Sequence, residues 1–318
     1  MKSTDPCAWS MGTQGILRKG ENLFQGESQE QVMKLVCPHV DFCLALNQHL
    51  NMELIEMERR IFPDGEVNPR IIEVPRSALL VNMLSSHAFD PNRYILEYIF
   101  SIRNLMERGA ERILLVLPYL PYSRQDAVFR TGESFTSKFL LDIFRDLGIE
   151  DIFSVTFHLH RQKDVNLAEG IRLHNISGIT ALAEHLKGFG LSNPLCLAPD
   201  EEAEKWAQEV AQTLDGDVAV LKKRRDVSTG EIHTMGEIPP GRDVIIVDDM
   251  ISTGSTMLRA LAICREFDAR RIVISAVHGI FSRPVDWNVE IITTNTIENP
   301  YAAVDITPYL AKTLREFL

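Results

Sequence analysis

Residues 244–256 read VIIVDDMISTGST, an apolar strand that ends in two aspartates and leads into a loop of small residues. The unbroken apolar run is typical of a strand that is buried on both faces of a parallel sheet. Ligands of open α/β sheets bind outside the carboxyl ends of the strands, which is where Asp248 and Asp249 would lie. The segment therefore indicates an α/β fold and predicts a ligand site at the end of this strand.

The loop after the two aspartates has the composition of an anion site. It consists of Ser252, Thr253, Gly254, Ser255 and Thr256. A helix is predicted to begin near Ser255, and its unpaired N–H groups and positive dipole end would suit a phosphate dianion, which Gly254 lets the backbone approach closely. The two carboxylates can accept hydrogen bonds from sugar hydroxyls or hold a hydrated divalent cation. Burying two adjacent aspartates without a partner would cost free energy, and a strand and helix that bind no ligand would not offset this cost. We therefore predict a phosphosugar site.

Composition limits the class of protein. A chain of 318 residues, 45% apolar and 24% charged, is long enough for one large or two medium globular domains. The net charge of −11 argues against an extended nucleic-acid surface, so anions should be met by local basic clusters. Five scattered cysteines without a CxxC pair, no apolar run of membrane length and no signal pattern favour a cytoplasmic protein.

The order of predicted elements implies two similar halves. Residues 1–30 have little periodicity and are predicted to be a flexible leader. Alternating strands and helices follow over 31–168 and again over 169–305, which predicts two mainly parallel sheets flanked by helices. We expect a last helix within 306–318, which in the family described below packs back on the first half.

Four further motifs carry polar chemistry. They read FPDGE at 62–66, PYLPYSRQD at 118–126, TFHLH at 156–160 and APDEE at 198–202. PDG is a common turn sequence, and Asp200 alone would serve as a helix N-cap, so neither is specific. The second motif is more informative, because Arg124 offers a planar fork that matches phosphate oxygens.

A basic cluster, KKRR at 222–225, follows a predicted strand in this acidic chain. Such a run is usually a solvated face, but here it precedes a polar segment. Cations placed beside a phosphoryl group can neutralise the charge that develops on it during transfer.

Together, over about residues 35–317, these motifs resemble the ribose-phosphate pyrophosphokinase branch of the phosphoribosyltransferase fold. The resemblance implies two phosphoribosyltransferase-type domains, the first for ATP and the second for ribose 5-phosphate. It implies transfer of the β,γ-pyrophosphoryl group of Mg-ATP to the anomeric hydroxyl of ribose 5-phosphate, for nucleotide biosynthesis. It also implies at least a homodimer, because the family's adenine contacts come partly from a neighbouring subunit.

The resemblance assigns roles by position. The implied catalytic residues are Lys222 and Arg224. The implied ATP contacts are Phe62, Asp64, Glu66, Arg124, Gln125, Asp126 and His160. The implied ribose 5-phosphate site is Asp248, Asp249 and the loop Ser252–Thr256. His160 and Asp200 are the implied Mg²⁺-binding residues.

Two positions depart from the family pattern. His158 stands where the family usually has aspartate, and Glu201 and Glu202 replace small glycines. Histidines at 158 and 160 could alternatively form a transition-metal site. For His278, at the end of a later strand, a hydrogen-bonded structural histidine is the simpler interpretation.

Two other functions stay open. A phosphoribosyltransferase that consumes phosphoribosyl pyrophosphate would share the loop at 252–256 but would not need the motifs at 62–66 and 118–126. A non-catalytic, synthetase-like regulatory subunit is suggested by His158 and the Glu201–Glu202 pair. The basic pair at 222 and 224 and the aspartates at 248 and 249 argue against it.

Overall fold

The structure is a computed structural model that describes residues 32–158, 169–225, 232–235 and 238–318. The predicted leader, residues 1–30, and His160 lie outside the described residues.

A seven-stranded sheet forms the first lobe. Its strands lie in the order β3-β2-β1-β4-β5-β6-β7, and every neighbouring pair is parallel except β2 with β3. In chain order the elements are β1 (Lys34–Cys37), α1 (Asp41–Leu50), β2 (Leu54–Ile61), β3 (Val67–Ile71), β4 (Ser77–Val81), α2 (Pro91–Glu107), β5 (Arg112–Leu117), α3 (Thr136–Asp146), β6 (Asp151–Val155) and β7 (Arg172–Ile176).

A six-stranded parallel sheet forms the second lobe, in the order β15-β14-β13-β12-β8-β9. Its elements and those attached to it are α4 (Gly178–Leu186), β8 (Leu195–Ala198), α5 (Glu204–Leu214), β9 (Asp217–Val220), β10 (Lys222–Arg225), β11 (Ile232–Met235), β12 (Asp243–Ile251), α6 (Ser255–Glu266), β13 (Arg271–Gly279), β14 (Glu290–Thr294), β15 (Ala302–Val304) and α7 (Thr307–Leu314). Strands β10 and β11 form a separate antiparallel pair. The predicted fold class, two mainly parallel sheets flanked by helices, is confirmed.

Local signals explain where α2 begins and ends. The Asp90 side chain accepts a hydrogen bond from the Arg93 N–H, and Pro91 occupies the first turn, where a missing N–H costs nothing. Gly109 has a φ of 105°, a conformation that glycine adopts without a steric penalty, and it directs the chain into β5.

The two sheets share one hydrophobic core. Gly178, at the start of α4, lies so close to both sheets that a Cβ atom there would be 2.5 Å from Val277 of β13 and 2.9 Å from Val155 of β6. The first sheet includes β7, which follows the boundary predicted near residue 168. The lobes therefore contact each other directly, and their adjoining strand ends can build one site.

The C-terminal helix α7 packs against α1 and β7 of the first lobe. The Arg315 Nη2 atom donates to the His49 carbonyl at 2.6 Å, and the ring of Phe317 lies 5.0 Å from that of Phe153. Among the described residues, no helix is both long enough and apolar enough to span a membrane.

Candidate active site

Strand β12 carries Asp248 and Asp249 between β8 and β13. The strand continues to Ile251, so both aspartates lie within it rather than after it. Asp249 is 2% exposed, Asp248 is half-buried, and the Asp249 N–H donates to Asp248 Oδ1 at 2.9 Å. The strand therefore holds two carboxylates at the carboxyl edge of the second sheet.

The loop after β12 turns into α6 at Gly254, which has a φ of 76°. Among the described residues, no side chain at the N-cap position caps this helix, and the Ser255 N–H lies 3.5 Å from the Thr253 hydroxyl oxygen. A Cβ atom at Gly254 would lie 2.3 Å from the Trp287 ring, so glycine is required by both backbone conformation and space. The Thr253 and Ser255 hydroxyl oxygens are 3.1 Å apart. Uncapped N–H groups and converging hydroxyls are what a phosphate group would bind.

A cavity of about 200 Å³ lies over this loop. Its wall includes Asp248, the whole segment 250–257 and Arg124. Arg124 belongs to the loop that follows β5 in the first lobe, so residues of both lobes line the cavity. The sequence resemblance assigned Arg124 to ATP, and the structure brings it to the predicted sugar-phosphate loop as well.

Burial raises the pKa of Asp248 well above its ordinary value, and the negative charges of Asp249 and Asp200 raise it further. The Asp200 Oδ1 atom accepts hydrogen bonds from the N–H groups of Glu202 and Ala203, at 3.2 and 3.3 Å. Asp200 therefore caps the short helix that precedes α5 and also adds negative charge near Asp248. A cation bound among these carboxylates would relieve their repulsion.

Asp249 is paired with the first lobe. The His158 Nδ1 atom lies 2.5 Å from Asp249 Oδ2, and both side chains are buried. His158 follows β6, whereas Asp249 belongs to β12, so this contact joins the two lobes at the site.

The motif at 62–66 lies elsewhere. Phe62, Asp64 and Glu66 belong to the turn between β2 and β3, where the Phe62 N–H donates to the Glu66 carbonyl at 2.8 Å. Glu66 lines a separate cavity of about 510 Å³ together with residues of α2. None of the three is part of the wall of the cavity at Arg124.

The other predicted residues that the structure describes are not part of the wall of this cavity. Gln125 is exposed, Asp126 is buried, and Lys222 is exposed at the start of β10. Arg224 pairs with His233 through the backbone of the hairpin, and its side chain lies outside the described part of the chain. Among the described residues, no group of three or more His, Cys, Asp or Glu side chains is arranged to hold a metal ion, and His160 is not among those residues.

Sequence comparisons match this arrangement. The profile of the N-terminal domain of ribose phosphate pyrophosphokinase matches residues 22–148, and the phosphoribosyl transferase domain profile matches residues 172–307. A ribose-phosphate pyrophosphokinase of Thermococcus kodakarensis is 35% identical over 271 residues, which cover 82% of this chain and 92% of the relative. The chain belongs to the ribose-phosphate pyrophosphokinase family. A second family member, from Sulfolobus acidocaldarius, is 32% identical and covers 82% of this chain and 91% of its own.

The fold of a ribose-phosphate pyrophosphokinase is also recognisable in three dimensions. The crystal structure of phosphoribosylpyrophosphate synthetase from Mycobacterium smegmatis superposes with a TM-score of 0.76 at 25% identity. The match covers 90% of this chain and 98% of the other. The likeness therefore includes both lobes.

Two residues of this family member were not identified as important from sequence. Trp287 forms the wall behind Gly254, and His278, considered only as a structural histidine, reaches the first lobe. Trp287 lies far along the chain from Gly254, so no local pattern marks their contact. The sequence places His278 at a strand end, but only the structure shows which residues its ring contacts.

Proposed function

We propose that the chain is a ribose-phosphate pyrophosphokinase that makes 5-phosphoribosyl 1-pyrophosphate and AMP from ribose 5-phosphate and ATP. The observation that supports this most is the cavity where Arg124 of the first lobe meets the loop Ser252–Thr256 of the second. A site of this kind can hold a sugar phosphate on one side and a phosphate donor on the other.

The sugar would bind at the second lobe. The N–H groups and hydroxyls of the loop Ser252–Thr256 would bind the 5-phosphate, and Asp248 and Asp249 would accept hydrogen bonds from ribose hydroxyls. This orientation leaves the anomeric hydroxyl directed towards the first lobe. Its oxygen loses its proton to solvent and forms a bond to the β-phosphorus of ATP. The bond from that phosphorus to the oxygen that bridges the α- and β-phosphates breaks, and AMP leaves with that oxygen.

The donor would bind at the first lobe. Arg124 is suited to pair with phosphate oxygens through its planar fork, and Gln125 and Asp126 adjoin it in the chain. Phe62, Asp64 and Glu66 would contact adenine, as the resemblance implies. Lys222 and Arg224 on the β10–β11 hairpin would approach the transferring group and neutralise its charge.

Asp200 and Asp248 supply carboxylate oxygens, the donors that Mg²⁺ prefers. Burial raises the pKa of Asp248, and the charges of Asp249 and Asp200 raise it further, so a bound cation would offset this cost. His160 is proposed to assist at this place. When bound, Mg²⁺ would neutralise charge on the phosphates of ATP.

A label-transfer assay tests the function. ATP labelled in the γ-phosphate, ribose 5-phosphate and Mg²⁺ should give AMP and a labelled sugar pyrophosphate in equal amounts. A protein that releases no AMP but turns over phosphoribosyl pyrophosphate with a nucleobase would be a phosphoribosyltransferase instead. A protein that is inactive in both assays but binds ribose 5-phosphate would support the regulatory-subunit alternative.

We further propose a cytoplasmic homo-oligomer. The turn between β2 and β3, which is proposed to contact adenine, lies beside an exposed apolar face of α2. On this face Leu96 is 44% and Phe100 is 45% exposed, and both line the cavity that Glu66 also lines. Cys37, Cys43, Cys196 and Cys264 are all free and buried, which fits a reducing compartment.

Light scattering tests the assembly. Phe100→Glu should lower the mass towards that of one chain, whereas Val218→Glu, at an exposed apolar position on β9, should not. An unchanged mass for Phe100→Glu would rule out this face. Cell fractionation tests the location.

A further inference from the structure

His278 lies at the end of β13, is 1% exposed, and stands opposite Met250 of β12. It belongs to the second lobe, yet two of its contacts are with the first. The His278 Nε2 atom lies 3.3 Å from the Thr156 carbonyl oxygen, and the imidazole ring meets the Tyr119 ring edge-on at 5.0 Å between centroids. His278 therefore contacts the two first-lobe loops that follow β5 and β6 and that lead to Arg124 and His158.

The hydrogen bonds of His278 define its tautomer. A carbonyl oxygen only accepts, so the Nε2 atom carries the proton that is donated to Thr156. Nδ1 then accepts from the Thr296 hydroxyl at 2.8 Å. Burial lowers the pKa of His278 to about 4, so the ring is neutral near pH 7; the nearby Asp249 charge opposes this shift and His158 adds to it.

The Thr156 contact stabilises an unfavourable turn. Thr156 has a φ of 37°, a left-handed conformation that is costly for a β-branched residue. Its N–H donates to the Ile176 carbonyl at 2.9 Å, and its hydroxyl accepts from the Gly178 N–H at 2.8 Å. Two residues later, His158 reaches Asp249. The turn therefore sets the position from which His158 contacts the β12 carboxylate.

The Tyr119 contact acts on the other loop. Tyr119 is 7% exposed and lies five positions before Arg124 in the chain, in the segment that leaves β5. The same segment brings Arg124 to the cavity over residues 252–256. The contact of the His278 ring with Tyr119 therefore restricts the path of the backbone that leads to Arg124.

We propose that His278 is a positioning residue that holds both first-lobe loops against the edge of β12, so that Arg124 and His158 meet the second-lobe site in a fixed geometry. It touches neither substrate in this scheme. The activity test of this inference rests on the proposed function, whereas the structural test does not.

Three variants separate the contacts of His278. His278→Gln retains an amide N–H that can reach the Thr156 carbonyl. His278→Phe retains the ring against Tyr119 but removes the donor, and His278→Asn is too short for the Thr156 contact. Thr296→Val is the control on the Nδ1 side. It removes the hydroxyl that contacts His278 Nδ1, Thr294 and the Val277 carbonyl, and it leaves both first-lobe contacts of His278 in place.

The expected kinetic result is a loss of kcat/KM for ribose 5-phosphate of roughly 10- to 100-fold in the Phe and Asn variants, the scale of a small misplacement. Thr296→Val should remain within about 3-fold of wild type, since it preserves both first-lobe contacts. The Gln variant, which keeps the Thr156 contact but loses the ring against Tyr119, should lose less than the Phe and Asn variants. Melting temperatures are measured alongside. A loss that follows melting temperature across all four variants, rather than the Thr156 contact, would overturn the proposal.

The ring-nitrogen NMR signals of His158 give a readout that does not need turnover. With ¹⁵N-histidine labelling and assignment by His158→Asn, the His158 signal should shift in the Phe and Asn variants and stay in place in the Gln variant. Unchanged His158 signals in folded Phe and Asn variants would also overturn the proposal. If wild type releases no AMP but these shifts occur, the proposed function fails and the positioning role stands.

Discussion

The His158 Nδ1 atom lies 2.5 Å from the Asp249 Oδ2 atom, and this contact joins the end of β6 to β12 across the two lobes. The family motif resembled by residues 156–160 has aspartate where this chain has His158. Aspartate there would bring a further negative charge close to Asp249, beside the carboxylates of Asp248 and Asp200. His158 therefore joins the two lobes through a hydrogen bond to Asp249. An aspartate at this position would instead place two like charges against each other.

We predict that His158→Asp lowers the melting temperature in the absence of divalent cations, because Asp249 would lose its partner and face a like charge in a buried place. Added Mg²⁺ should restore more of the stability in this variant than in wild type. His158→Asn is the control, since it removes the imidazole without adding charge. Thermal unfolding with and without Mg²⁺ measures the difference, and equal Mg²⁺ responses in all three proteins would contradict the prediction.

Lys222→Ala should reduce kcat by roughly 10²- to 10³-fold, the usual result of removing one charged donor from a transferring group. Lys222 is exposed at the start of β10, so its removal should leave folding unaffected. Lys187→Ala removes a charge from another exposed lysine, after α4, and should leave kcat unchanged. AMP release at saturating substrates measures both. Normal turnover in Lys222→Ala would show that the hairpin does not carry the transfer step.

Gly254→Ala should destabilise the protein by about 2 kcal/mol or more and weaken binding of ribose 5-phosphate. Its Cβ would be 2.3 Å from the Trp287 ring, at a φ of 76° that non-glycine residues adopt at a cost. Gly188→Ala is a matched control, because a Cβ there meets nothing within 4 Å. Denaturant unfolding and a binding titration test both parts. A tight-binding Gly254→Ala variant would exclude the close-approach role of this glycine.

Much of the fold was predictable because its signals are local. The start of α6 at Ser255 was expected from the segment that contains it, and α2 likewise begins at local signals, the capping Asp90 followed by Pro91. Strand β7 was not expected, because its sequence RLHNI is polar and short, and only its pairing with β6 makes it a strand.

The site was predictable only where its residues are neighbours in sequence. The loop Ser252–Thr256 was identified from one segment of chain. Contacts such as Gly254 with Trp287 and His278 with Thr156 join distant segments, and no pattern within either segment specifies the other. Part of the predicted site, including His160, stays a prediction because it lies outside the described residues.

Stability should depend on pH through His278. Its folded pKa is about 4, below the ordinary value of 6.5, so as the pH falls below 6.5 the unfolded chain takes up a proton that the folded chain does not. The contribution of His278 to the free energy of unfolding is fully present above pH 6.5. It falls by about 3 kcal/mol in total between pH 6.5 and 4 and changes no further below pH 4. His278→Gln lacks this titration and keeps a donor for Thr156. Denaturant unfolding of both proteins from pH 4 to 8 should therefore show a steeper fall in the free energy of unfolding of wild type as the pH is lowered. The carboxylates titrate in both proteins, so their effect cancels in the comparison. Parallel curves would mean that His278 binds its proton equally well in the folded and unfolded chains.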